Sequence, residues 1–215
     1  MNVKVKICGI TNVSDAQHAV DVGVDALGFV FWKKSPRYVS PEDAAKITST
    51  LPPFVNTVGV FVDESYKTII ETIAKVGLDC VQLHGSEGPD ECCELSHKLG
   101  ARVIKAVRVS SLDDVKALVD YKVCNVAGYL LDSFKEGTPG GTGECFDWEL
   151  AKEAKSFGLI ILAGGLNAEN VAEAIRLVRP YGVDVSSGVE SSPGKKDHEK
   201  ILVFMERVRS VERTI

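Results

Sequence analysis

The sequence predicts a single (β/α)8 barrel, a TIM barrel of the α/β class, spanning residues 1–215. Short β-branched runs alternate strictly with longer amphipathic segments. Eight such pairs occur, at about 27 residues each, close to the ~30 that a compact βα repeat takes. Strict alternation favours a parallel sheet, and the count of eight favours closure over an open doubly wound sheet. No linker or shift in composition marks a second domain.

The elements follow in order. The first strand, Val3 to Cys8, sets Val3, Val5 and Ile7 on one side and Lys4, Lys6 and Cys8 on the other. "NVSDAQHAVDVG" then reads as a helix capped by Asn12 and closed near Gly23. Strand two, Ala26 to Phe31, precedes the helix "SPEDAAKITSTL", and strand three, Thr57 to Val62, precedes "SYKTIIETIAKVG"; both helices open on serine. Strand four is Cys80 to Leu83, followed by a helix that carries Cys92 and Cys93. Strand five, Val103 to Val107, leads to "SLDDVKALVD". Strand six, Ala127 to Leu131, is followed by "EGTPGGTGE" at 136–144, a long flexible βα loop of the kind usually found at an active site. Strand seven, Leu159 to Leu162, precedes "NAENVAEAIRLV", and strand eight is Val183 to Val185.

A net charge of −5 gives no basic footprint for nucleic acid, so small molecules are the expected partners. No stretch approaches the ~20 apolar residues of a membrane span, and the lysine-interrupted N-terminus does not read as a secretory signal. The cysteines Cys8, Cys80, Cys92, Cys93, Cys124 and Cys145 form no CxxC pair and no zinc-like spacing with histidine. The expectation is a cytoplasmic protein with reduced thiols, no metal and no cofactor. Monomer and homodimer both stay open.

In a barrel, function belongs at the C-terminal ends of the strands. Lys4 and Lys6 should point inward and need partners, for which Asp25, Asp79 and Asp184 are placed. Cys8 stands at the top of strand one before Gly9. It is either a plain buried thiol or a base or nucleophile whose pKa is lowered by Lys6 or by loop N–H groups. Asp132 ends strand six, as a turn cap or as a proton donor in a partly dry cleft. Gly164 and Gly165 after strand seven, with Ser187 and Gly188 after strand eight, lie in the usual phosphate seat of this fold. Arg37, in a loop between two prolines, is either solvated or holds an acidic group of the substrate. His84 shares a strand side with Gln82, and either orients a catalytic group or is a satisfied core histidine. His18, His97 and His198 fall in helical stretches away from the strand ends.

Taken together, "KICGIT", "GFVFWKKSPRYV", "GVFVD", "VQLHG", "LLDSFKEGTPGGTGECFDW", "ILAGGLNAENV" and "DVSSGVESSPGKKDHEKI" resemble the phosphoribosylanthranilate isomerase family of tryptophan biosynthesis, over nearly the whole chain. The resemblance implies an Amadori rearrangement of phosphoribosylanthranilate to 1-(2-carboxyphenylamino)-1-deoxyribulose 5-phosphate. It makes Cys8 the general base, Asp132 the general acid and Arg37 the anchor of the anthranilate carboxylate. It places the phosphate at Gly164, Gly165, Ser187 and Gly188, and His84 at the active-site face. Two other readings keep the barrel: a lyase or aldolase with Lys6 or Lys105 as Schiff-base nucleophile, or a phosphosugar-binding protein without turnover.

Overall fold

The computed structural model describes residues 3–133 and 148–212. Strands β1 (Lys4–Cys8), β2 (Ala26–Val30), β3 (Asn56–Phe61), β4 (Cys80–Leu83), β5 (Arg102–Val109), β6 (Gly128–Ser133), β7 (Ile160–Leu162) and β8 (Gly182–Val185) form a closed parallel barrel in chain order. The seam joins β8 to β1, with Lys6 opposite Asp184 and Ile7 opposite Val185. Helices α1 (Val13–Asp21), α2 (Pro41–Thr48), α3 (Tyr66–Val76), α4 (Pro89–Lys98), α5 (Leu112–Lys116), α6 (Trp148–Ala154), α7 (Val171–Val178) and α8 (His198–Glu212) alternate with the strands. The eight expected strands are therefore the eight observed ones, shifted at their ends by a residue or two. Cys145 and the glycine-rich stretch 136–144 lie outside the described residues.

The caps explain where the helices start. The side chains of Asn12, Ser40, Ser65 and Ser111 accept hydrogen bonds from the backbone N–H groups of Asp15, Asp43, Thr68 and Asp114. Each satisfies one of the donors that the first turn leaves free. α3 ends on Gly77 in the left-handed region (φ 74°), which glycine adopts without steric cost.

Alternation along the strands divides the core in two. Val5, Ile7, Leu27, Phe29, Val81 and Leu83 pack outward with the helices. Val58, Cys80, Ile104, Ala106, Leu130 and Ala163 fill the barrel interior, and Cys8, Val30 and Val60 form a further cluster.

Three features differ from the expectations. The segment "SLDDVKALVD" is not one α-helix: α5 stops at Lys116 and the chain continues as a 3-10 helix over Ala117–Cys124. At three residues per turn, Leu118, Tyr121 and Cys124 fall on one face, and each is buried or partly buried. That face meets α4, and Cys93 of α4 forms a disulfide with Cys124 instead of remaining reduced. The two cysteines are 31 residues apart in sequence, and only the packing of the two helices brings them together. After β8 the chain makes a short 3-10 turn, Ser187–Val189, and an antiparallel hairpin of β9 (Glu190–Ser192) and β10 (Lys195–Lys196) before α8. Among the described residues no helix is long and apolar enough to cross a membrane.

Candidate active site

Cys8 ends β1 at the C-terminal mouth of the barrel and is a free, buried cysteine. Its neighbour across the ladder is Gly28. A Cβ on Gly28 would lie 2.9 Å from the Cys8 sulfur and 3.0 Å from Lys6 Cε, so the missing side chain is the space in which the thiol sits. Gly9 follows with φ 80°, and a Cβ there would lie 2.7 Å from Arg37 Cδ. The turn after Cys8 therefore needs glycine both for its dihedral angle and for the passage of Arg37.

The backbone of Cys8 is held as firmly as its side chain. Its carbonyl oxygen accepts from Lys196 Nζ at 2.6 Å and from Ser186 Oγ at 3.0 Å. Lys196 is buried and also donates to Glu190 Oε1 at 3.0 Å. Glu190 in turn accepts from Arg37 Nε at 2.8 Å and Nη2 at 2.7 Å. Burial opposes charge on Glu190, yet the bonds from Arg37 and Lys196 hold its carboxyl below the usual range. Burial pushes Lys196 below an ordinary lysine despite Glu190.

Lys6 and Lys4 have the inward partners expected of them, Asp184 at 2.9 Å and Asp25 at 2.7 Å. Asp79 serves differently: it accepts from the backbone N–H and the hydroxyl of Thr57, both at 2.8 Å. Burial works against the Lys6 ammonium, but Asp184 outweighs it and keeps the lysine above its ordinary value. The lowered thiol pKa expected for Cys8 is not found. Burial pushes the thiol up, and the nearby Lys6 and Lys196 charges do not reverse it.

Across the mouth, Asp132 lies near the end of β6, opposite Arg108 of β5. His84 follows β4 directly, and its Nε2 is 3.3 Å from Asp132 Oδ2. Gln82 Nε2 lies 2.8 Å from His84 Nδ1, which joins the two side chains that share this side of β4. His84, Ser86, Lys105, Arg108 and Tyr121 line a cavity of about 410 Å³. Beneath it, Lys105 is paired with Glu87 at 2.6 Å and also donates to the Gly85 carbonyl at 2.9 Å.

The loops after β7 and β8 touch. Gly164 and Gly165 have φ of 76° and 71°, and among the described residues no atom beyond Gly165 and its chain neighbours lies within 4 Å of where a Gly165 Cβ would be. Gly188 lies so close to the backbone of Leu166 and Asn167 that a Cβ would meet the Leu166 carbonyl oxygen at 2.0 Å. Ser187 is exposed beside it.

Sequence reasoning assigned no role to Glu190 or Lys196, although both lie inside a quoted motif; a hairpin folding back on β1 leaves no periodic signal. His18 and His198, read only as helical residues, stack at 4.1 Å, and His198 Nε2 lies 3.0 Å from Asp15 Oδ1.

The family model described as N-(5'-phosphoribosyl)anthranilate (PRA) isomerase matches residues 5–207. The N-(5'-phosphoribosyl)anthranilate isomerase of Geobacter sp. (strain M21) is 53% identical over 208 residues, covering 97% of this chain and 98% of its own. A crystal structure of monomers of dimeric phosphoribosylanthranilate isomerase from Thermotoga maritima superposes with TM-score 0.86 at 43% identity, covering 97% of this chain and all of that one. A phosphoribosylanthranilate isomerase structure in complex with reduced 1-(o-carboxyphenylamino)-1-deoxyribulose 5-phosphate gives TM-score 0.87 at 45% identity, with 97% and 100% coverage.

Proposed function

The chain belongs to the N-(5'-phosphoribosyl)anthranilate isomerase family, and from that premise we propose that Cys8 and Asp132 are the base and acid of its reaction. The enzyme isomerises phosphoribosylanthranilate, a step of tryptophan biosynthesis. The observation that supports the assignment is the way Cys8 is fixed at the mouth of the barrel, with a glycine at its side and two donors on its carbonyl oxygen.

Asp132 protonates the ribose ring oxygen as the C–O bond breaks, giving a Schiff base. Cys8, as thiolate, removes the proton on carbon 2, and the resulting enolamine ketonises to the product. Burial favours the neutral thiol, so the acting thiolate is formed by loss of the Cys8 proton to solvent before this step, and the Lys6 ammonium is the charge placed to stabilise it. The phosphate binds the paired loops of Gly164, Gly165, Ser187 and Gly188, where the space before Gly165 is open. Arg37 holds the anthranilate carboxylate with the nitrogen that Glu190 leaves unused, and His84 orients Asp132 from the active-site face.

The Schiff-base alternative has little support, since it needs an uncharged amine. Lys6 and Lys105 are both buried in ion pairs, with Asp184 and Glu87. Conversion of phosphoribosylanthranilate by the purified protein, followed as loss of anthranilate fluorescence, tests the reading. Substrate binding without product would favour a binding protein, and borohydride trapping on lysine would favour a lyase.

The reading includes assembly as a homodimer. Phe54 is 95% exposed and borders a cavity of about 370 Å³ at the N-terminal end of the barrel, lined also by Lys4, Arg102 and Tyr181. Light scattering of the wild type and of Phe54→Glu tests it, and a monomeric wild type would overturn it. The expected compartment is the cytoplasm, where a charged phosphosugar is retained; an exclusively membrane or secreted fraction would argue against it.

A further inference from the structure

We propose that Gln82 is a positioning residue, which fixes His84 in the tautomer that presents an Nε2 proton to Asp132. The proposal rests on the reading of Asp132 as general acid. Gln82 is 1% exposed and points into the barrel, where its neighbours on adjoining strands, Val60 and Ile104, are apolar. Among the described residues its side chain has one hydrogen-bond partner, His84, and its carbonyl oxygen is buried without one. A polar side chain in that position adds nothing to packing that leucine or methionine would not supply, so its use is the bond to histidine.

The roles in that bond are fixed by chemistry. An amide nitrogen only donates, so His84 Nδ1 accepts from Gln82 and carries no proton. A neutral imidazole then carries its proton on Nε2, the atom 3.3 Å from Asp132 Oδ2. The reversed amide would leave an NH2 group buried without an acceptor in place of one carbonyl oxygen, and buried unpaired donors are the rarer defect. It would also turn a bare Nε2 toward Asp132 and draw the carboxyl proton onto Oδ2. With the observed orientation Oδ2 accepts from histidine, and the proton to be delivered rides on Oδ1. Once the proton has left, the carboxylate already faces an N–H donor and needs no rearrangement.

Nitrogen-15 spectra of histidine-labelled protein, with the His84 signals assigned by their loss in His84→Asn, test the tautomer. The expected result is an unprotonated Nδ1 and a protonated Nε2 in the wild type, and loss of that preference in Gln82→Met. Kinetics supply a second readout. Gln82→Met should lower kcat roughly 10–100-fold, as when the outer partner of a functional histidine is lost. KM should change by no more than about twofold, and the kcat effect should vanish when Asp132→Asn is already present. A wild-type proton on Nδ1, or the same loss from Gln82→Met in both backgrounds, would overturn the proposal. Full turnover in Asp132→Asn would remove the acid role while the spectra still decide what Gln82 does to His84. Should Gln82→Met fail to fold, Gln82→Glu, whose carboxylate accepts, should move the His84 proton to Nδ1; an unchanged tautomer there would equally sink the idea.

Discussion

Arg37 meets Glu190 in a two-point clasp, Nε on one carboxylate oxygen at 2.8 Å and Nη2 on the other at 2.7 Å. The arginine expected to hold substrate is therefore first a structural partner of the hairpin that follows β8. Its orientation is set before any ligand arrives. Arg37→Ala should accordingly do two things: raise KM for phosphoribosylanthranilate, and destabilise the fold by about 1–3 kcal/mol, because the buried Glu190 loses two of its donors and keeps Lys196. Steady-state kinetics and thermal unfolding together check this. A raised KM with an unchanged Tm would show that the clasp contributes nothing, and an unchanged KM would free Arg37 from substrate binding.

Cys8→Ala and Asp132→Asn should each reduce turnover by roughly 10²–10⁴-fold while leaving circular dichroism and Tm close to wild type. Turnover near the wild-type level in either variant would take that residue out of the mechanism.

The raised thiol pKa of Cys8 sets the direction of the pH dependence. A base works only when deprotonated, so kcat/KM should climb with pH through neutrality, with its acidic limb centred above the ordinary cysteine value of about 8.5. A flat profile between about pH 6 and 9 would mean that another group, or a thiolate already formed in the free enzyme, limits the reaction.

Glu190 makes the opposite contribution to stability. Its folded-state pKa lies below the ordinary value, so the stabilisation is fully present above the unfolded value of about 4.3 and is lost as pH falls through the folded value. Melting temperatures measured from neutral pH down to about pH 3 should fall less steeply in Glu190→Gln than in the wild type. Parallel curves would assign the acid sensitivity to other carboxylates.

Gly28→Ala is a one-carbon test of the thiol's position. The new methyl would collide with Cys8 Sγ and with Lys6 Cε, at 2.9 and 3.0 Å, and the Cys8 Cα is only 3.1 Å away. Overpacking of this kind costs typically 1–3 kcal/mol. Turnover should fall by roughly tenfold or more, since misplacing a reacting group by an ångström is costly. Normal kinetics in a fully folded Gly28→Ala protein would show that the sulfur has room to move.

The barrel was legible in the sequence because each strand is a short apolar run and each helix repeats on its own period, so the two signals do not blur. The positions of Cys8, Asp132 and His84 at the mouth of the barrel were legible for the same reason: once the strand ends are placed, the residues there are few. The Glu190 and Lys196 clasp was not legible, since it depends on a two-strand hairpin too short to show alternation, returning to a strand some 180 residues earlier. The Cys93–Cys124 disulfide was hidden likewise, because it depends on a 3-10 helix lying beside α4. The sign of the Cys8 shift also escaped sequence reasoning: Lys6 is visible two residues away, whereas the degree of burial is not.

The clasp has a consequence for synthesis. Asp184, Ser186 and Lys196, which steady the lysine neighbour of Cys8 and its carbonyl, lie 178 to 188 residues beyond the groups they bind and leave the ribosome that much later. Until that length of chain has been made, the Cys8 thiol lacks the groups that set its geometry. The surroundings of Cys8 are complete only when β8 and the hairpin after it close the ring against β1.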